Sequence, residues 1–159
     1  MSSFTGGSIA GCSVDWARRC RLHSRVAEPM IEFFNPDDAP APGAFSRATR
    51  AAGLVFVSGT GAGNDIGGAP REGTAAQQTR WALENVEAIL RAAGSSLDRV
   101  VQVTLLIQDP ADYHEINAEY VRHFPKGLPA RHTARFGVPT LAKVAFACIA
   151  LGPDAARAR

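Results

Sequence analysis

Apolar residues recur along this chain in two rhythms, and each rhythm marks a different kind of element. "IEFF" at 31–34 reads as a short strand, ended by Asn35-Pro36-Asp37-Asp38 and followed by a Pro/Gly loop, "APAPG", at 39–43. "AFSRATR" and "LVFVSG" flank Ala51-Ala52-Gly53, the pattern of a β-hairpin whose turn is supplied by the glycine. A long glycine-rich segment covers 59–73. Its Gly59, Gly61 and Gly63 are spaced by two and no helix starts at once, so a surface loop fits better than a phosphate cradle.

The rhythm then changes. In "AAQQTRWALENVEAILRAAG" at 75–94, Leu83, Val86, Leu90 and Ala93 fall at helical spacing, with Ala82 and Ile89 widening the stripe. Gly94 stands where a C′ residue belongs. "VVQVTLLI" at 100–107 is a β-branched run of central-strand character. Asp109 and Pro110 open a second helix, as N-cap and first-turn residue, and Tyr113, Ile116, Tyr120 and Phe124 supply its buried face. Two more strands are expected at roughly 131–137 and 143–151. The order β-β-β-α-β-α-β-β predicts an α+β domain of two layers, a mixed six-stranded sheet with two helices on one face. "KVAFACIAL" is apolar on both of its faces, so the uncovered side of the sheet is expected to be buried against another subunit.

Composition narrows the function classes. With 159 residues the chain makes one domain. A net charge of +2 and the lack of a Lys/Arg cluster with interleaved aromatics argue against nucleic acid as a partner. No apolar run is long enough for a membrane helix. The three cysteines, Cys12, Cys20 and Cys148, have no metal-like spacing and suit a reducing cytoplasm; no metal or cofactor is expected. Residues 1–29, rich in Ser, Gly and Arg without an apolar period, read as a disordered or non-native extension before Met30, with a transit peptide as the other reading. Residues 30–152 form the domain, and 153–159 a polar tail.

The stretch that carries chemistry is "LPARHTARF" at 128–136. In a strand, Arg131, Thr133 and Arg135 share one face and His132 takes the other. A planar guanidinium offers two parallel donors that match a carboxylate. A solvent-facing or ion-paired strand arginine is the plainer alternative.

"APAPGAFSRA", "LVFVSGT", "QTRWALENVEAILRAAGSSLDRVVQVTLLIQD", "DYHEINAEYVRHF" and "LPARHT" together resemble the RidA family, also called YjgF, of reactive-intermediate imine and enamine deaminases. The match covers about residues 31–152. The resemblance implies a chorismate-mutase-like homotrimer with clefts between subunits, in which Arg131 binds the carboxylate of a small metabolite. It implies that Phe45 replaces a tyrosine, and that backbone N–H groups near Ser58 and Gly59 face the carboxylate. It also implies that Asn117 lies near the cleft and that Pro129 and Ala130 shape the wall. Deaminating members carry glutamates in the last strand, where this chain has Ala145 and Ala147. Thr133 could hold a water in their stead, and Arg135 could contact ligand or a rim acid. His114 and His123 are expected to be solvated, Cys148 to be a buried thiol, and Trp81 to serve packing. Three functions fit. One is a RidA-like deaminase acting on a carboxylated imine or enamine. Another is changed chemistry on a larger, more apolar carboxylate. The last is a non-catalytic carboxylate-binding trimer.

Overall fold

A computed structural model describes residues 30–36, 44–63, 69–138 and 140–157. The expected extension at 1–29 and the loop at 39–43 lie outside the described residues. Among the described residues six strands and two α-helices follow in the expected order: β1 (Glu32–Phe34), β2 (Ala48–Ala51), β3 (Leu54–Gly61), α1 (Ala75–Ala92), β4 (Val100–Ile107), α2 (Tyr113–Tyr120), β5 (Ala130–Arg135) and β6 (Val144–Leu151).

Local chemistry explains the boundaries. The β2–β3 hairpin turns through Ala52 and Gly53, at φ 50° and 77°, the two positive angles that a tight two-residue turn between twisted strands requires. Helix α1 starts in a capping box. The Thr74 hydroxyl accepts from the Gln77 N–H at 3.2 Å, while the Gln77 side chain accepts from the Thr74 N–H at 2.9 Å. It ends in a Schellman motif: the Ser95 N–H reaches the Leu90 carbonyl and the Gly94 N–H that of Arg91, with Gly94 at φ 77°. The second helix is shorter than its pattern suggests. Asp109 caps a 3₁₀ turn at Pro110–Asp112 rather than the α-helix itself, and Val121–His123 is again 3₁₀. The polar tail begins with a further 3₁₀ segment at Pro153–Arg157.

The strands form one sheet in the order β1-β2-β3-β6-β4-β5, antiparallel throughout except for the parallel pair β4–β5. Helix α1 lies on β3 and β6, and α2 packs beside α1. Between the layers sits the core: Val55 and Val57 of β3, Val103 and Leu105 of β4, and Phe146 and Ala150 of β6 meet Leu83, Val86, Ile89 and Leu90 of α1. Among the described residues no helix covers the other sheet face. There Phe56, Gln102, Thr104, Ala147 and Ile149 line a shallow cavity of about 130 Å³, and Phe56 and Leu151 are both 39% exposed. β5 closes one edge of the sheet and is its least covered strand.

Candidate functional site

The parallel pairing with β4 sets where β5 points its side chains. Arg131 stands opposite Val103, Thr133 opposite Leu105 and Arg135 opposite Ile107, so all three face the helical layer. His132 stands opposite Thr104 and faces the open side. Arg131 is half-buried. Its guanidinium carbon lies 4.6 Å from the centroid of the Tyr120 ring and 5.9 Å from that of Tyr113, and its Nη2 donates to the Tyr113 hydroxyl at 3.4 Å. Stacking on an aromatic face holds a guanidinium flat while leaving its in-plane N–H groups available.

Four arginines elsewhere are engaged by carboxylates, while Arg71 and Arg99 donate to backbone carbonyls. Arg50, Arg80, Arg91 and Arg122 are paired with Glu32, Glu119, Glu87 and Glu119. None of the ion pairs among the described residues involves Arg131. Arg135 also lacks a carboxylate there; it is exposed and reaches the Gln108 carbonyl only at 3.5 Å.

Around the Tyr113 hydroxyl the polar groups converge. Hydrogen bonding from Asn117, the charge and N–H of Arg131, and the Thr133 hydroxyl hold its pKa below the usual tyrosine value. Asn117 is one helical turn from Tyr113, which puts both on the same face of α2. Its Oδ1 is buried without a hydrogen-bond partner, as is the Tyr120 hydroxyl. Burial pushes Tyr120 up to about 12, although Arg131 pulls the other way. Cys148 is likewise raised to about 12 by burial, which leaves it an unreactive thiol.

The remaining expected site residues lie elsewhere. Ser58 and Gly59 sit in a β-bulge of β3, where the register with β6 shifts between Val57 and Thr60. The Ser58 N–H donates to the Arg47 carbonyl at 2.9 Å and its hydroxyl to the Ser46 carbonyl at 2.7 Å, so both Ser58 donors are paired within this chain. Gly59 lines a small cavity of about 70 Å³ with Arg47, Gly61 and Pro70, and no atom would touch a Cβ placed on it. Phe45 is 51% exposed, with the Arg47 guanidinium 5.9 Å from its ring. Ala130 is exposed and faces the open side opposite Gln102. Ala145 pairs with Gly61 and Leu106, and Ala147 with Thr104, so both also face away from Arg131.

Thus the expected residues fall into separate groups within one chain. Arg131, Thr133, Asn117 and Tyr113 gather at the β5 edge, whereas Phe45, Ser58 and Gly59 lie by β2 and β3. Three strand spacings, about 14 Å, separate β3 from β5. Sequence reasoning cast Tyr113 only as core. The sequence carries half of the clue: Tyr113 and Asn117 are four apart and share a helix face, but the strand which that face meets is not written there. Sequence reasoning also missed Glu119, which is 4% exposed and binds Arg80, Arg122 and His123. His123 is accordingly not solvated; it stands 3.4 Å from Glu119 with most of its side chain covered. Trp81 packs against the core edge, with the Arg71 guanidinium 4.8 Å from its ring.

Residues 36–150 match the family model described as Endoribonuclease L-PSP. Reactive Intermediate Deaminase A, chloroplastic, of Arabidopsis thaliana is 35% identical over 156 residues, covering 94% of this chain and 81% of the relative. 3-Aminoacrylate deaminase RutC of Acinetobacter baylyi is 37% identical over 108 residues, covering 67% and 86%. Among solved structures, E. coli TdcF with bound serine superposes with a TM-score of 0.66 at 27% identity, covering 76% of this chain and 98% of that one. One of these relatives is named for the chloroplast, so a cytoplasmic location is not a property of the group. Among the described residues no helix is long and apolar enough to cross a membrane. The fold, the helix and strand motifs and these likenesses agree: the chain belongs to the Endoribonuclease L-PSP family, the family of the RidA and YjgF proteins.

Proposed function

We propose that this chain is a RidA-type deaminase that hydrolyses a small carboxylated imine or enamine, held by Arg131 in a cleft completed by a second copy of the chain. The observation that carries the reading is the state of Arg131. A guanidinium that is half-buried, stacked on Tyr120 and without a carboxylate among the described residues keeps its paired donors for an external anion. Two relatives are named as deaminases, one of a reactive intermediate and one of 3-aminoacrylate, a carboxylated enamine, and the TdcF structure holds serine, a small carboxylate.

The division of the expected residues supports a shared cleft. Gly59 on β3 is about 14 Å from the Arg131 strand in one chain, and Phe45, ahead of β2, lies beyond it, so a single small ligand meets both groups only where two copies adjoin. The open sheet face, with Phe56, Ala147 and Ile149, is the apolar surface such an assembly covers, and a homotrimer satisfies both demands. In the cleft the ligand carboxylate lies on Arg131, and its nitrogen lies toward Asn117, whose buried Oδ1 accepts an N–H.

Ala145 and Ala147 favour a second reading, changed chemistry on a larger and more apolar carboxylate, because methyl groups neither hold water nor move protons. The two separate on one assay. Ammonia release from 2-iminobutanoate, made in situ by an amino-acid oxidase, is expected to accelerate with this protein and to be lost in Arg131→Ala. Wild-type protein that gives no acceleration over buffer overturns the deaminase reading and leaves the second.

A further inference from the structure

We infer that Tyr113 is the acid–base group of this site, moving the proton of the attacking water between its own oxygen and the substrate nitrogen. The inference rests on the deaminase reading above and deepens it.

The geometry is specific. Tyr113 opens α2 beside β5, and its hydroxyl is the one group that Arg131, Asn117 and Thr133 all approach. A carboxylate on the outer donors of Arg131 therefore has the phenol oxygen within one side chain's reach, next to the unpartnered Oδ1 of Asn117. The ring is half-buried, so the hydroxyl is held rather than free in water. The charged surroundings all favour loss of its proton. Arg131 is 3.4 Å away, and the neighbouring Asp112 is neutralised by Lys143 at 3.3 Å. The exposed His114 ring is 5.9 Å from the Tyr113 ring, and no other acid of α2 is turned toward it: Glu115 binds the Ala76 N–H and Glu119 binds Arg80.

Competing groups are excluded by position. Ala145 and Ala147 face the other side of the sheet and carry no acid. Thr133 reaches the site but is no base at neutral pH. His132 points to the open face. Cys148 is buried and its thiol is raised to about 12.

The step balances without a further reactant. Water bonds to C2 of the protonated imine as the C=N π pair moves to nitrogen, and the tyrosinate oxygen takes one water proton. The phenol returns that proton to the amino nitrogen. The C–N bond then breaks with its electron pair on nitrogen, the carbonyl forms, and ammonia takes up the hydroxyl proton. Imine and water become 2-oxoacid and ammonium.

Tyr113→Phe tests this with little threat to folding. The expected result is a kcat for 2-iminobutanoate at least about 10²-fold lower, the loss of the limb of the pH profile that rises with deprotonation, and binding of 2-oxobutanoate unchanged within about threefold. The chain has two tyrosines, so tyrosinate absorbance reads each directly. Wild-type protein is expected to show one ionisation below that of free tyrosine and one near 12, and Tyr113→Phe to lose only the first. A Tyr113→Phe variant with wild-type kcat and pH profile overturns the inference, and the deaminase reading stands if Arg131→Ala has lost 2-oxobutanoate binding. Arg131→Ala that binds and turns over as wild type overturns both.

Discussion

The guanidinium of Arg131 lies 4.6 Å from the centroid of Tyr120, whose own hydroxyl is buried with no hydrogen-bond partner. The ring therefore does two things of opposite sign. Its face supports a cation, and its oxygen is desolvated without return. Tyr120→Phe keeps the face and removes the oxygen. Unfolding free energy is expected to rise by about 1 kcal/mol, since an unsatisfied buried hydroxyl costs about that much. Denaturant melts with unchanged carboxylate binding would bear this out, and a loss of stability would show that the hydroxyl is satisfied in the assembled protein.

Arg131→Lys separates charge from shape. An ammonium keeps the positive charge but loses the fork that engages both carboxylate oxygens and the flat surface that stacks on Tyr120. Affinity for 2-oxobutanoate is expected to fall about tenfold or more, the equivalent of one charge-assisted hydrogen bond, with the melting temperature little changed. Calorimetry that finds equal affinity would mean that the anion is not gripped bidentately.

How far the sequence disclosed this molecule depended on how local each determinant is. Helix α1 was legible because its stripe, Leu83, Val86, Leu90 and Ala93, and its Gly94 stop are contiguous signals; all four apolar residues are buried. Strand β4 was placed to the residue by its β-branched run. Arg131, Thr133 and Arg135 share a face because strand alternation is a local rule. What could not be read was lateral order. Nothing in "KVAFACIAL" says that β6 inserts between β3 and β4, and that insertion sets the Arg131 edge apart from Ser58 and Gly59. The convergence of Arg131, Asn117 and Thr133 on the Tyr113 hydroxyl is hidden for the same reason, since a helix stripe does not reveal which strand residue its rim meets. The pairing of the Ser58 N–H with the Arg47 carbonyl, eleven residues away across a hairpin, is likewise announced by no local pattern.

The hairpin turn offers a local test. Ala52 holds φ 50°, a left-handed angle costly for a residue with a Cβ, and asparagine tolerates it better. Ala52→Asn is expected to stabilise by about 0.5–1 kcal/mol. Gly53→Ala, at φ 77°, is expected to destabilise by about 1 kcal/mol for backbone strain alone, because the nearest atom to an added Cβ is 3.8 Å away. Equal melts for all three proteins would refute the turn geometry.

Glu119 gives the protein a pH dependence. Its carboxylate is 4% exposed and meets Arg80 at 2.8 Å, Arg122 at 3.1 Å and His123 at 3.4 Å; chiefly the hydrogen bond from Arg80 holds its pKa below the ordinary value, against the cost of burial. A carboxyl with a depressed folded pKa contributes stability that is present above its unfolded value of about 4.3, and lost as pH falls through the folded value. Arg80 and Arg122 are largely exposed, so solvent screens the pair and the contribution is modest. Glu119→Gln is expected to lower unfolding free energy by about 1–2 kcal/mol at neutral pH. As pH falls from about 4.3 through the lower folded value the two proteins should converge. Parallel curves down to acid pH would assign the loss to packing instead.

The uncovered sheet face makes the last prediction. Ile149 lies at its centre in β6, on the side away from the helices, beside Phe56, Ala147 and the shallow cavity they line. Under the proposed assembly this apolar face is the subunit surface, and the cleft proposed for Arg131 needs a neighbour. Ile149→Glu places a carboxylate where the joined faces exclude water, which costs several kcal/mol at every copy of the contact unless the charge finds a partner. Wild-type protein is expected to sediment as a trimer and Ile149→Glu as a monomer. The monomer should keep the Tyr113 ionisation, a property of one chain, while imine turnover disappears with the shared cleft. Sedimentation as a trimer after the substitution would move the interface elsewhere, and a monomeric wild type would leave Arg131 without the neighbour its cleft requires.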